Sequence, residues 1–231
     1  MRSNALDSGW LKFNNRFRIQ QPGCRNWKRI TKLEAEKNDR PASWPTPAND
    51  VPEAVRRLGF KTVYQIVAAV SLAPCLGSGA GAGERWRHCV RVAVAAHFVA
   101  EEIGEDCSLL FTAGLLHDIG NAILAEVFKE NYSSLEAETI PGTATLVERE
   151  MAAFGVNHAE VGARLLERWN FSPLFVASVR FHHDPSAGGE AARLAACISL
   201  AETLVHSLDH EQNDQETEWL EASAALGILG L

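Results

Sequence analysis

GLLHDIG, at residues 114–120, is the stretch that decides how this sequence folds. It places His117 directly before Asp118 at the end of an apolar run. An imidazole nitrogen and a carboxylate oxygen are ligands that one divalent ion can accept together. We therefore expect His117 and Asp118 to form the middle of a metal site, with the preceding apolar helix surrounded on all sides by other helices.

Further histidines lie on both sides of this pair, each on a stretch with helical character. His88 precedes the pair, and His158, His182 and His183 follow it. His182 shares a helical stripe with Phe175, so its ring should be buried. His183 is turned by about 100° from His182, so both rings reach one centre only if the helix ends there or if two ions are present.

Three other histidines are not assigned to the site. A lone histidine in a core is more often hydrogen-bonded than bound to metal, and this is our interpretation of His97 and His206. His210 lies in a polar, acidic tail and is expected to be exposed to solvent.

From Asp50 onward the chain has the periodicity of successive helices, and no strand pattern is present. Asp50 and Glu53 have the spacing of a capping box, and Ser172 with Pro173 is typical of a helix start. The Gly-rich residues 77–83 are interpreted as a surface loop, with a mobile loop over the site as the alternative. The fold class is therefore an all-α bundle. Beyond the first, the predicted helices are Phe60–Ala73, Glu84–Ile103, Asp106–Leu116, Asn121–Lys129, Ala144–Phe154, His158–Trp169, Ser172–His183, Glu190–Leu208 and Gln215–Leu229.

Residues 1–49 differ in composition from the rest of the chain. The first 40 residues hold ten Lys or Arg and four Asp or Glu, so they carry +6 while the remaining chain carries −13. Four prolines follow, at positions 41, 45, 47 and 52. We interpret 1–49 as a basic segment and Pro-rich linker without an assigned role, and 50–231 as the folded domain. The aromatic residues in the basic segment could stack on bases, but we do not expect nucleic-acid binding.

Cysteine usage and hydropathy indicate a cytoplasmic protein. The 5 cysteines are odd in number, and none forms a Cys-x-x-Cys pair, which favours reduced thiols over disulfides or a cysteine zinc site. The apolar stretches Val63–Leu76 and Val90–Ala100 contain polar residues and are shorter than the roughly 20 residues of a membrane span. No secretory signal is recognisable at the N-terminus. We therefore expect no membrane role.

Four motifs, taken in order, resemble the landmarks of the HDOD domain, the HD-related output domain. They are RWRH at 85–88, GLLHDIG at 114–120, NHAEVGA at 157–163 and HHDP at 182–185, and the resemblance runs from about 51 to 208. HDOD domains are a bacterial signalling branch of the HD metal-dependent phosphohydrolase superfamily. The resemblance implies an all-helical HD-type core and a regulatory role in signal transduction.

The resemblance also implies a set of metal ligands and a divalent metal cofactor. The last acidic ligand of the superfamily is an Asp, and Glu202 stands at its position. The ion would be Fe, Mn, Zn, Ni or Mg, and we expect one ion rather than two because His183 and Glu202 are the less secure donors. The implied ligands are His88, His117, Asp118, His158, His182, His183 and Glu202.

Two functions follow from this resemblance. As an output domain, the protein would bind a protein partner in a signalling pathway without turnover. As a phosphohydrolase or phosphodiesterase acting on a nucleotide or another phosphoester, it would use Asp118 to bridge two ions and Arg180 to stabilise charge on phosphate. Arg180 could equally be a solvated helix residue. Cyclic di-GMP hydrolysis is not expected, because no Gly-Tyr-Pro element follows His183 and Asn121 stands where HD-GYP relatives have Lys.

Overall fold

The computed structural model describes residues 50–73, 81–137, 145–209 and 224–231. Regular structure in these ranges is helical throughout, and they contain no strand, which confirms the predicted all-α class. Several predictions lie outside the described residues: the role of 1–49, most of the Gly-rich loop, the start of a helix at Ala144, the exposure of His210 and the first part of Gln215–Leu229.

Successive helices make up most of the described ranges. A 3-10 segment, Pro185–Ala191, leads into the last long helix, and residues 224–229 form a short helix near the C-terminus. In chain order the longer helices are α1 (Val51–Leu58), α2 (Phe60–Leu72), α3 (Ala82–Ile103), α4 (Cys107–Leu116), α5 (Ile119–Phe128), α6 (Glu130–Ala137), α7 (Leu146–Phe154), α8 (His158–Arg168), α9 (Pro173–Arg180) and α10 (Ala192–Asp209).

The chain divides into two compact units between Val63 and Tyr64, within α2. In the first unit, α1 begins as predicted at Asp50, whose carboxylate accepts a hydrogen bond of 2.7 Å from the backbone N–H of Glu53. It ends at Gly59, which has φ of 78° and donates its N–H to Val55. A positive φ of this size is costly for residues with a Cβ, so glycine ends the helix here.

The core of the second unit is built around α3, against which α4 and α10 pack. Alanines dominate the buried face of α3 and recur in α10, and small side chains let helix backbones approach closely. Leucines and isoleucine from α4 and α10 fill the space between them. Buried core residues include Cys89, Val92, Ala93, Ala96, Val99, Leu110, Phe111, Leu115, Ala195, Ala196, Ile198 and Leu200.

The apolar helix α4 is central, as predicted. By length and hydropathy alone, the stretch 107–128 could cross a membrane, a candidate that the sequence analysis did not consider. In the structure, 67% of the most apolar part of this stretch is buried. The buried core helix of a soluble protein satisfies the same criteria, so the stretch is weak evidence for a membrane span.

Several helix boundaries differ from the predictions. The helix predicted to end at His183 stops at Arg180, so His182 lies in the turn that follows. The helix predicted from Asn121 begins at Ile119, directly after Asp118. In both places the polar site residues occupy a turn, and the periodicity of their neighbours does not reveal where helical geometry stops.

Helix α6 was not predicted, and α3 begins at Ala82, inside the predicted Gly-rich loop. The break before α6 is made by Lys129, which has φ of 46° and ends α5. Neither Gly nor Pro marks this position, so the sequence contains no ordinary signal for a turn there.

Helices α5 and α8 come into backbone contact at two glycines. A Cβ on Gly120 would overlap the carbonyl oxygen of His158 and would lie 2.8 Å from the backbone nitrogen of Gly162. A Cβ on Gly162 would lie 3.3 Å from the nitrogen of Gly120. This close approach places the N-terminus of α8, and with it His158, next to the turn that holds Asp118.

We predict that Gly120→Ala lowers the free energy of unfolding by about 3 kcal/mol or more, because the added methyl group overlaps rigid backbone atoms. Gly83→Ala is the matched control. It lies in the first turn of α3 with nothing within 4 Å of the added Cβ, and should change stability by no more than about 1 kcal/mol. Urea denaturation of both variants measures the difference, and equal stability of the two would contradict the predicted overlap.

Candidate metal centre

Asp118 lies where several helix ends meet. His117 and Asp118 form the turn between α4 and α5, and His158 is the first residue of α8. His182 and His183 lie in the turn after α9. His88 and Glu202 join them from within α3 and α10. The site therefore draws its side chains from elements that are distant in sequence.

The two oxygens of the Asp118 carboxylate face different histidines. Oδ2 lies 3.5 Å from Nε2 of His88 and 3.4 Å from Nε2 of His117. Oδ1 lies 3.3 Å from Nε2 of His158 and 4.0 Å from Nε2 of His182. The carboxylate is thus positioned between two pairs of imidazole nitrogens.

The remaining predicted ligands, His183 and Glu202, lie next to the histidines around Asp118. Nε2 of His183 lies 2.9 Å from Nε2 of His158, and a carboxylate oxygen of Glu202 lies 3.9 Å from Nε2 of His182. Three groups have their donor atoms within 4.8 Å of one another, a spacing that suits a shared metal ion. They are His88, His117 and Glu202; His117, Asp118 and His182; and His158, His182 and His183.

Hydrogen bonds from Nδ1, the ring nitrogen that faces away from Asp118, orient two of the imidazoles. Nδ1 of His117 donates to the carbonyl oxygen of Gly114 at 2.8 Å, and Nδ1 of His182 donates to that of Val179 at 2.6 Å. A carbonyl oxygen can only accept, so each Nδ1 carries the proton and each Nε2 presents a lone pair to the centre.

Unpartnered buried atoms show that this cluster fits a metal ion. Nε2 of His117, Nε2 of His182 and Oδ1 of Asp118 are buried and have no hydrogen-bond partner among the described residues. A buried polar atom without a partner costs free energy, so native structures rarely leave one unsatisfied. Here all three atoms are potential ligands directed at one another. A cation between them would satisfy the three together, so the cluster can hold a metal ion.

The protonation states also suit a metal. Burial by itself raises the pKa of Asp118, but the surrounding imidazoles, led by His117 and His158, outweigh it and hold this pKa well below its usual range. Burial lowers the pKa of His117, and burial with the charges of nearby histidines lowers the pKa of His182 to about 3. The same causes hold the pKa of His183 well below its usual range. A charged carboxylate among neutral imidazoles is the state that binds metal.

His158 is supported differently from the other histidines. Its Nδ1 contacts Oε2 of Glu150 at 2.7 Å, and its backbone N–H donates to the same oxygen at 2.8 Å. Burial lowers the pKa of His158, but the hydrogen bond to Glu150 and the charge of Asp118 outweigh it, so the pKa is raised overall. Tyr132 donates to the other oxygen of Glu150 at 2.8 Å.

Glu150 and Tyr132 were not predicted from the sequence to lie at the site. A signal was present for Glu150, because it occupies the same helical stripe of α7 as the apolar residues Val147 and Phe154. A carboxylate on an apolar stripe needs a buried partner. No comparable signal marks Tyr132, which lies on the unpredicted helix α6.

The structure does not bring Arg180 into the cluster. Its Nε donates to Glu160 at 2.8 Å and one terminal nitrogen donates to Glu167 at 2.9 Å. The guanidinium is thereby neutralised by two carboxylates on α8. The expectation that Arg180 stabilises charge on a substrate is not supported by this placement.

His206, which was interpreted from the sequence as a hydrogen-bonded core residue, lies close to the site. Its ring centroid is 5.3 Å from that of His88. It follows Glu202 by one turn of α10, so the two side chains point in similar directions.

Comparison with known proteins identifies the family. The HDOD domain family model matches residues 43–185, and the chain belongs to the HDOD family. A protein of unassigned function from Treponema pallidum is 28% identical over 170 residues, which are 70% of this chain and 32% of that protein. Ribonuclease Y from a Sulfurovum species is 29% identical over 112 residues, which are 48% of this chain and 17% of that enzyme. The chain thus spans a third or less of the length of either relative.

Solved structures of similar proteins show the same fold. A candidate phosphohydrolase from Shewanella amazonensis has a TM-score of 0.65 and 25% identity, covering 80% of this chain and 68% of that one. An HDOD domain protein of unknown function from Geobacter sulfurreducens has a TM-score of 0.63 and 21% identity, covering 95% and 82%. The HD-like helical bundle expected from the sequence is therefore confirmed, and the protein is an HDOD-domain protein with phosphohydrolase-like neighbours.

We predict that the metal-free protein loses stability as the pH falls from about 6.5 towards 3. On unfolding, the pKa values of His117, His182 and His183 return to about 6.5, so the unfolded chain binds more protons in this range. Each such imidazole lowers the free energy of unfolding by about 1.4 kcal/mol per pH unit in this range, whereas the raised pKa of His158 acts above about pH 6.5, where its stabilising contribution is lost as the pH rises.

Urea denaturation with a chelator present, at several pH values, measures this effect. The variant His182→Gln should show a shallower pH dependence than the wild type, since it lacks one of the suppressed titrations. Identical slopes for the two proteins would contradict the pKa shift assigned to His182.

Proposed function

We propose that this protein is a signalling output protein of the HDOD type that binds divalent metal at Asp118. The observation that carries the proposal is the set of buried, unpartnered donor atoms of His117, His182 and Asp118. The hydrogen bonds of His117 and His182 to backbone carbonyls already orient their Nε2 lone pairs towards Asp118, so little reorganisation is needed for an ion to bind.

The donor arrangement favours two ions over the single ion expected from the sequence. That expectation rested on the uncertain contributions of His183 and Glu202, and both lie within the three-residue groups around Asp118. We propose that one ion is held by His88, His117 and Glu202, the other by the three downstream histidines, and that Asp118 serves both. Nitrogen and oxygen donors suit Fe, Mn, Zn or Ni better than Mg.

An output role is favoured over catalysis by the two positions at which the sequence analysis considered a phosphate-binding cation. Asn121, which replaces the Lys of HD-GYP relatives, is buried, and its side-chain oxygen lies 2.6 Å from the hydroxyl of Tyr132. Arg180 is engaged by Glu160 and Glu167. A metal centre without such a cation can stabilise the fold and respond to metal, while the surface of the domain binds a protein partner.

We propose that this role is carried out in the bacterial cytoplasm. Three described cysteines, Cys89, Cys107 and Cys197, are free thiols, and two of them are buried. Free thiols suit a reducing compartment.

Phosphohydrolase activity on a nucleotide or other phosphoester is the second candidate function. It is favoured by the likeness to the Shewanella protein and by Arg85, which lies one turn before His88 on α3. One terminal nitrogen of Arg85 contacts Glu136 at 3.2 Å, and its Nε is buried without a hydrogen-bond partner among the described residues. Bound ions would supply Lewis-acid polarisation of a phosphoryl oxygen. Arg85, with its unpartnered donor, would orient the phosphate.

Metal content tests the first proposal. We expect near two equivalents of transition metal per chain after purification without chelator, and about one equivalent in His117→Ala, because that ring is a donor to one of the two proposed ions. His97→Ala is the matched control, since His97 lies on the same helix as His88 and outside the donor groups, and it should retain the wild-type metal content. Equal metal content in His117→Ala and wild type would disprove the site.

Turnover distinguishes the two candidate functions. We expect no strong hydrolysis of cyclic di-GMP or of a panel of nucleotides with added Mn. If the protein is instead a phosphohydrolase, Arg85→Gln should reduce its turnover by about 100-fold or more. Arg180→Gln is the matched control and should leave turnover within about twofold of the wild-type value. Reliable turnover that is lost in Asp118→Asn and Arg85→Gln would replace the output proposal with the enzyme.

A further inference from the structure

Glu150 is a fully buried carboxylate that belongs to no predicted ligand set. It has 0% exposure, and its two oxygens accept hydrogen bonds from three donors. Two of these donors belong to His158 and one to Tyr132. A buried charge is retained only when its hydrogen-bonding capacity is satisfied, and this environment satisfies it.

The group that accepts the hydrogen bond from Nδ1 of His158 differs in charge from the groups that accept from Nδ1 of His117 and His182. His117 and His182 donate to neutral backbone carbonyls, whereas His158 donates from Nδ1 to an anion. A hydrogen bond to an ionised acceptor is roughly twice as strong as a neutral one. It also increases the electron density on the opposite nitrogen, which makes Nε2 a better metal ligand.

Both sides of the carboxylate are anchored. Oε2 receives the ring and the backbone N–H of His158, so the carboxylate also caps the start of α8. Oε1 receives the hydroxyl of Tyr132, which lies 2.6 Å from the side-chain oxygen of Asn121 on α5. The network therefore joins three helices behind the metal cluster and leaves the carboxylate little freedom to move.

Resting on the proposed metal function, we propose that Glu150 is a positioning residue that fixes His158 as a metal ligand. It holds the proton of His158 on Nδ1 and directs Nε2 to the space beside Oδ1 of Asp118. Asn121 takes part by holding Tyr132, so the position that carries a phosphate-binding Lys in HD-GYP relatives supports the metal cluster here.

Glu150→Gln removes the charge and preserves the shape. The amide oxygen can accept from both donors of His158, and the amide nitrogen can donate to Tyr132, whose proton then turns to Asn121. We expect this variant to fold and to bind the ion on the His158 side about 10- to 100-fold more weakly, with the ion on the His88 side little changed. Competition titration of the full chain with Zn and a chromophoric chelator measures both affinities.

Two control variants separate positioning from general effects. Glu160→Gln removes a carboxylate in the first turn of the same helix, α8, where it binds Arg164 and Arg180, and should leave both affinities within about twofold. Tyr132→Phe removes one hydrogen bond to Glu150 and keeps its charge, so its affinity should fall less than that of Glu150→Gln. If Glu150→Gln does not fold, Glu150→Asp keeps the charge and should still show weakened binding on the His158 side only.

A measurement without metal tests the contact itself. In the wild type, the Nδ1 proton of His158 should give a far-downfield NMR resonance, as expected for a proton shared with a carboxylate, and Glu150→Gln should shift it upfield. Unchanged metal affinity together with an unchanged resonance in a folded Glu150→Gln protein would overturn the proposal. A wild type that binds no metal would overturn the proposed function, whereas a missing downfield resonance in a metal-binding wild type would overturn only the role of Glu150.

Discussion

The buried charge of Asp118 is the constraint on which the rest of the structure depends. A carboxylate removed from water is costly unless donors or a cation compensate it. The nearest imidazole nitrogens, those of His88, His117 and His158, lie at 3.5, 3.4 and 3.3 Å. His117 and His182 are held by backbone carbonyls and His158 by Glu150, so lone pairs face the carboxylate. A cation between them would be a common partner for the carboxylate and the oriented nitrogens, and the cluster can hold one.

Close backbone packing makes this arrangement geometrically feasible. Helices α5 and α8 approach through Gly120 and Gly162, with no room for a Cβ on the first. The contact brings the start of α8 beside the turn at Asp118, where the N-terminal His158 can reach the carboxylate. The polar centre and the apolar packing are therefore not separate features, since the position of His158 beside Asp118 depends on the close glycine contact.

The supporting network gives two residues near the site roles that differ from those expected from the sequence. Asn121 follows the His-Asp pair by three residues, and in this chain its side chain binds Tyr132 instead of pointing a charge at a substrate. The arginine expected to bind phosphate, Arg180, is held by Glu160 and Glu167 on the neighbouring helix. Potential metal ligands are abundant around Asp118, whereas neither Asn121 nor Arg180 offers a free cation. The described residues of the site are therefore a cluster that could bind metal.

The sequence by itself determined the all-α class and the family, because helical periodicity and the local motifs around His88, His117 and His158 are properties of neighbouring residues. It could not show that α9 ends before His182, nor that Glu150 and Tyr132 stand behind the cluster, since these depend on contacts between segments far apart in the chain. Only the tertiary structure decided which nitrogen of each ring faces Asp118 and which cations are neutralised. Those facts follow from packing and burial, which no local pattern records.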